Sequence, residues 1–145
     1  MTKTEIEKII PHSGKMCLID EVLSWNQNSI DCSSFSHQDK NHPLRQVSGT
    51  LNSLHALEYG AQAAAIHHVL IQKQGKILPS KGGVVVKFRS VKLFCEDLSD
   101  YQSALMIQAK QVMSNEQIII YDIKIFHCYN EKLLVSACLT IVIET

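Results

Sequence analysis

At 145 residues the chain is sized for one domain, residues 1–145, that buries roughly two-thirds of the surface its unfolded form exposes. Lys+Arg and Asp+Glu are equal at 14 each, with 46% hydrophobic and 19% charged residues. This balance argues against a disordered chain and against a polyanion-binding one, so no nucleic-acid partner is expected. Five cysteines (Cys17, Cys32, Cys95, Cys128, Cys138) form an odd set with no Cys-x-x-Cys spacing. That pattern speaks against a disulfide framework and a zinc site, and predicts reduced, mostly buried thiols in a cytoplasmic protein.

The N-terminus has no apolar stretch of signal-peptide length, and the longest apolar runs fall far short of the ~20 residues of a membrane helix, so no membrane association is expected. In Thr4-Glu5-Ile6-Glu7-Lys8-Ile9-Ile10 the apolar residues recur at the spacing of a short amphipathic helix, which Pro11 stops. Residues 16–25 and 29–35 read as a hairpin turning at Asn26-Gln27-Asn28. The polar stretch 36–49 reads as a loop, the kind of segment that often carries chemistry.

Residues 50–74 hold the one long run with helical spacing: Leu51, Leu54, Leu57, Ala61, Ala64, Ala65, Val69. Thr50 or Asn52 is placed to cap its start and Gly75 to end it. Its middle, Gly60-Ala61-Gln62-Ala63-Ala64-Ala65, has almost no side-chain bulk, so other backbones can approach closely, as when a sheet wraps a helix. After Lys81-Gly82-Gly83 come four strand-like runs, 84–94, 104–113, 117–129 and 133–143, the last three joined by turns at Asn115-Glu116 and Asn130-Glu131. The order of elements is satisfied by an α+β architecture, one antiparallel sheet curled round one long central helix.

Glu58 stands between Leu57 and Tyr59 in the most apolar helix, where a carboxylate is costly to desolvate unless protonated or paired. Gln62 follows at i+4 and His55 precedes at i−3, both on the same face. Periodicity alone leaves open whether Glu58 faces a site or simply points to solvent. His67 and His68, adjacent on the helix, point to different faces, which disfavours a metal pair.

Ile10-Pro11-His12-Ser13-Gly14-Lys15-Met16-Cys17-Leu18-Ile19-Asp20-Glu21-Val22 resembles the N-terminal proline-histidine motif, running into a Leu-(Val/Ile)-Asp strand, of the β-hydroxyacyl-[acyl carrier protein] dehydratases. Leu57-Glu58-Tyr59-Gly60-Ala61-Gln62-Ala63-Ala64 resembles their central helix, with its catalytic Glu and the Gln four residues on, and Phe88, Arg89, Val91 and Lys92 fit their third strand. The chain is most similar to the dehydratase-like branch of aryl polyene pigment clusters.

The resemblance implies a hotdog fold, a dimer pairing two sheets, and sites that take a His from one subunit and the acid from the other subunit's helix. It implies a neutral His that abstracts the Cα proton of a 3-hydroxyacyl thioester, backbone N–H groups that polarise its carbonyl, and a protonated Glu58 that gives its proton to the departing hydroxyl. Where the family has Gly-His-Phe-Pro-Gly, this chain has Lys40-Asn41-His42-Pro43-Leu44-Arg45, with His42 further from Glu58 than the family register. His42 ranks first for the base, ahead of His37 and His55, while His12 reads as structural.

Gln62, Pro43, Leu54, Phe88 and Val91 are the expected substrate contacts, with Met16 and Leu18 as further acyl-tunnel walls. Lys15, Arg45, Lys87, Arg89 and Lys92 are candidates for a basic rim around a carrier protein's phosphopantetheine arm. No cofactor is expected. The expected partners are an acyl carrier protein, a second copy of the chain, or a related hotdog subunit. Acyl-thioester hydrolysis by the helix carboxylate and a non-catalytic acyl-binding subunit are the alternative functions.

Overall fold

The computed structural model describes residues 1–10, 14–75 and 82–144. Helix α1 spans Lys3–Glu7 and is capped by Thr2, which accepts from the Glu5 amide while the Glu5 carboxylate reaches back to the Thr2 backbone. The stop at Pro11 and the structural role of His12 fall outside the described residues.

Strands β1 (Glu21–Trp25) and β2 (Ser29–Ser34) form the expected hairpin. The Asn26 side chain closes the turn by accepting from the amides of Asn28 and Ser29. β1 begins later than its residue pattern suggests, because 14–16 is a 3-10 turn and 17–19 is buried, non-strand chain. The polar groups of Leu18 are taken by side chains instead of a strand: Gln62 accepts from its amide, and Ser34 and Ser36 donate to its carbonyl.

Helix α2, Ala56–Lys73, also starts later than expected. Residues 51–53 bond sideways to residues 96–98: Ser53 N–H donates to Glu96 O at 2.8 Å, Leu98 N–H to Leu51 O at 2.8 Å, and Leu51 N–H to the Asp97 carboxylate at 3.1 Å. With those groups committed, helical bonding begins only past Asn52, whose side chain caps the 3-10 turn Ser53–His55 by accepting from the Leu54 amide. Gly75, at φ +71°, ends the helix in the left-handed conformation that glycine adopts without strain.

The remaining strands are β3 (Gly82–Leu93), β4 (Leu105–Ser114), β5 (Ile118–His127) and β6 (Leu133–Glu144). All pairings are antiparallel, in the order β1-β2-β4-β5-β6-β3. Alternating burial along β4 to β6 presents Ile107, Ala109, Tyr121, Ile123, Ile125, Leu139 and others to the helix. Cys17 and Cys32 are buried in that core, Cys95 and Cys138 are half-buried, and Cys128 is exposed, all as free thiols. Among the described residues no helix is long and apolar enough to cross a membrane.

β3 lies at the edge of the sheet and exposes Val84, Val85, Val91 and Leu93, with Phe94 exposed just past its end and a bulge between Arg89 and Lys92 at which Ser90 takes φ +51°.

The helix and sheet approach closest at Gly60, where an added Cβ would lie 2.3 Å from Ile123 Cδ1 and 3.1 Å from its Cβ. The Cδ1 methyl can turn aside, but the Cβ is fixed to the strand. Gly60→Ala is therefore expected to lose about 1 kcal/mol net, helix propensity offsetting part of the overpacking, and Gly60→Val about 3 kcal/mol, read from urea denaturation midpoints.

Candidate active site

Glu58 lies in the first turn of α2, half-buried, where the helix dipole favours a negative charge. Gln62, one turn on and buried, donates to Glu58 Oε1 at 3.2 Å, the contact its i+4 spacing predicts. The same amide donates to Met16 O at 2.8 Å and accepts from Leu18 N–H at 2.8 Å. One side chain thus ties the carboxylate to the buried segment that precedes β1. His55 ends the 3-10 turn, half-buried, and makes no side-chain cap bond.

His42 is buried in the 36–49 loop against α2, its ring stacked on that of Tyr59 with centroids 6.1 Å apart. Leu44 N–H donates to His42 Nδ1 at 3.1 Å, so the proton sits on Nε2, which donates to the Tyr59 hydroxyl at 3.0 Å. Burial, aided by the Arg45 guanidinium, holds the imidazole neutral by lowering its pKa to about 4. Both ring nitrogens are thus committed within the chain. The periodicity of the loop gives no hint of this, since one bond is to a backbone amide and the other to a residue 17 positions away.

His37 is fully buried. Its Nε2 donates to Tyr101 O at 2.7 Å, and its Nδ1 has no partner among the described residues. Burial lowers its pKa as well. Arg45 braces the loop: its guanidinium donates to Gly49 O at 2.6 Å, His37 O at 2.8 Å and Asp39 O at 2.9 Å. Lys15 pairs with Asp39 at 4.0 Å. Lys87, Arg89 and Lys92 are exposed on β3.

The expected acyl contacts are dispersed. Pro43 is exposed beside His42, Leu54 is 51% exposed and Val91 37% exposed, and Phe88 is half-buried on the edge strand. Met16 is exposed, whereas Leu18 belongs to the core rather than to a tunnel wall. An open cleft of about 460 Å³ is lined by Gln38, Lys40, Arg45, Gly49, Ser99 and Gln102, and includes neither Glu58 nor any of these contacts.

Four residues of the neighbourhood were not singled out from sequence: Tyr59, Ser36, Ser34 and Asp20. The Tyr59 hydroxyl lies 2.7 Å from Ser36 Oγ, which lies 2.8 Å from Ser34 Oγ, and Asp20 accepts from the Phe35 amide at 2.6 Å. The available signal was a tyrosine inside an apolar helix, since a buried phenol requires a partner. His67 is likewise satisfied within the core by the Tyr121 hydroxyl at 2.7 Å and Asn26 O at 2.8 Å. Among the described residues no cluster of His, Cys, Asp or Glu is arranged to hold a metal.

A family model described as ApeP dehydratase matches residues 4–144, nearly the whole chain. The chain belongs to the ApeP dehydratase family. It is a dehydratase, a lyase, with the hotdog fold. The structure is similar to the dehydratase heterocomplex ApeI:P from Xenorhabdus doucetiae, with a TM-score of 0.82 at 23% identity over 97% of this chain and 91% of that one.

Two hotdog thioesterases are also similar in fold. PA1618 from Pseudomonas aeruginosa gives a TM-score of 0.69 at 12% identity, covering 99% of this chain and 94% of that one. HI1161 from Haemophilus influenzae gives 0.62 at 15% identity, covering 85% and 76%. No curated protein matches the sequence.

Two outcomes test the geometry of this ApeP-like dehydratase. Gln62→Leu leaves the Leu18 amide and Met16 carbonyl without their partner, and is expected to cost roughly 3 kcal/mol in chemical denaturation. The neutral buried histidines bind protons less tightly folded than unfolded. Between the usual value near 6.5 and the depressed value of about 4 for His42, the unfolded chain therefore carries the extra protons. Stability is expected to fall as pH drops through that window, and denaturation midpoints from pH 7 to pH 4 check the direction.

Proposed function

We propose that this dehydratase removes water from a 3-hydroxyacyl thioester carried on the phosphopantetheine arm of an acyl carrier protein, with Glu58 as the proton donor. The observation that carries the reading is Glu58 itself, half-buried in the first turn of the central helix and held by Gln62, with the match to the ApeP dehydratase family in support.

Protonated Glu58 gives its proton to the 3-hydroxyl as the carbon–oxygen bond breaks and water leaves. The Cα proton goes to a base, and the electrons of that carbon–hydrogen bond become the new double bond. A closed, dry site favours the neutral carboxylic acid, whereas the helix dipole favours the anion. The acid role therefore requires that another surface cover Glu58.

That surface, in this reading, is a related hotdog subunit seated against β3. The edge strand offers unpaired backbone and exposed Val84, Val85, Val91 and Leu93, with Phe94 just past its end, apolar surface that water solvates poorly. The similar fold described as a heterocomplex supports a related rather than an identical partner. So does the state of His42, the first-ranked base, since the His42 of a second copy would have both ring nitrogens in use as well. The base in the pocket of Glu58 is then a histidine of that other subunit, and Pro43, Leu54, Phe88 and Val91 reach the acyl chain only where the two surfaces meet.

The test is turnover of a 3-hydroxyacyl carrier protein by this chain co-purified with its hotdog partner, following enoyl product by mass. Glu58→Gln is expected to lower kcat by about 10²- to 10⁴-fold while the complex still forms. Wild-type rates from that variant, or free acid and thiol in place of the enoyl product, count against the reading, the latter pointing to thioester hydrolysis.

A further inference from the structure

His42 stands at one end of a hydrogen-bond chain that runs in one direction. It starts at Leu44 N–H, which fills the lone pair of His42 Nδ1 at 3.1 Å. The ring proton is thereby placed on Nε2 and donated to Tyr59 Oη at 3.0 Å. Having accepted that proton, the phenol turns its own hydrogen to Ser36 Oγ at 2.7 Å. Ser36 donates on to Leu18 O at 3.0 Å, and Ser34 donates to the same carbonyl at 2.5 Å. The chain begins at one backbone amide, ends at one backbone carbonyl, and uses each hydroxyl once in each direction.

The end point matters because Leu18 is also where Gln62 is anchored. Gln62 accepts from the Leu18 amide at 2.8 Å and donates to Glu58 at 3.2 Å. His42 is thus linked to Glu58 twice, through Tyr59 as its covalent neighbour on the helix and through the backbone of Leu18. The loop cannot readily turn the ring elsewhere: His42 N–H donates to Asp39 O at 3.1 Å, Arg45 N–H to His42 O at 3.1 Å, and the Arg45 guanidinium to the carbonyls of His37, Asp39 and Gly49.

Proton abstraction from carbon needs an imidazole lone pair aimed at the substrate. One nitrogen of His42 has its lone pair filled by an amide, and the other carries a hydrogen already given to a phenol.

We infer that His42 and Tyr59 are positioning residues, which fix the loop and the Leu18 segment around Glu58 by this one-way chain, and that His42 is not the group that takes the Cα proton. The inference deepens the proposed reaction and rests on Glu58 acting in it.

Two measurements decide it. Nitrogen-15 spectra of the histidine rings near neutral pH, assigned with His42→Gln, are expected to show His42 protonated on Nε2 and bare on Nδ1, with the Nε2 signal shifted in Tyr59→Phe. A ring protonated on Nδ1 overturns the inference. In the assembled dehydratase, His42→Gln keeps an amide N–H for Tyr59 but has no base. It is expected to lose less than about a hundredfold in kcat/KM, below the range typical of a lost general base, and to keep the acid limb of the wild-type pH profile. The double variant His42→Gln with Tyr59→Phe is expected to be no worse than the poorer single one, as for residues acting through one chain. A larger loss, or disappearance of the acid limb, identifies His42 as the base and overturns the inference. If the wild-type complex dehydrates no 3-hydroxyacyl carrier, the proposed reaction fails by itself, and the ring spectra still decide the state of His42.

Discussion

The structure depends on how closely one helix can lie against the sheet. At Gly60 the α2 backbone comes so near Ile123 that even a methyl fits between them only if the isoleucine gives way, and the alanines that follow continue the thin strip. This contact sets the depth and rotation of α2. Rotation in turn decides that Tyr59 and Gln62 point into the protein while Glu58, one position to the side, stays half-buried at its margin. A bulkier helix would stand further off, and neither the Gln62 amide nor the Tyr59 hydroxyl would reach the chain around Leu18.

Leu18 is the joint between core and site. Its side chain is fully buried, yet its amide and carbonyl belong to no strand and are satisfied by Gln62 on one side and by Ser34 and Ser36 on the other. Leaving such groups unpaired in the interior costs far more than a single bond contributes, so the network is strongly specified even though each member is modest. The same requirement explains why the imidazole of His42 is neutral and has both nitrogens bonded. It is a filled link in a buried polar chain, and burial opposes any added charge.

The other margin of the molecule is incomplete in a different sense. β3 pairs on one side only, against β6, and leaves valine and leucine side chains exposed beside its unpaired edge. The residues expected to touch an acyl chain are dispersed over this side and over the helix entrance rather than gathered in one cavity. An acid on a helix margin, an apolar edge strand and scattered apolar side chains are consistent with a site formed between two subunits, each supplying a wall.

The elements themselves were legible because their signals are local. Asparagine turns between β-branched runs, the small residues of α2, the glycine that ends it and the i+4 spacing of Glu58 and Gln62 are all properties of short stretches, and the similarity to the dehydratases rests on two such stretches. Element starts were less legible: 50–52 and 16–20 carry helix or strand patterns, but the amides of Leu18 and Leu51 within them are claimed by residues more than 40 positions away in sequence. The state of the histidines was not legible at all. Periodicity places His42 in a polar loop near a proline, but cannot report that an amide fills one ring nitrogen and a phenol from the helix faces the other. The sequence by itself determined the α+β order, the central helix and its acid; only the tertiary structure decided which polar groups meet, because those bonds join segments that no spacing along the chain connects.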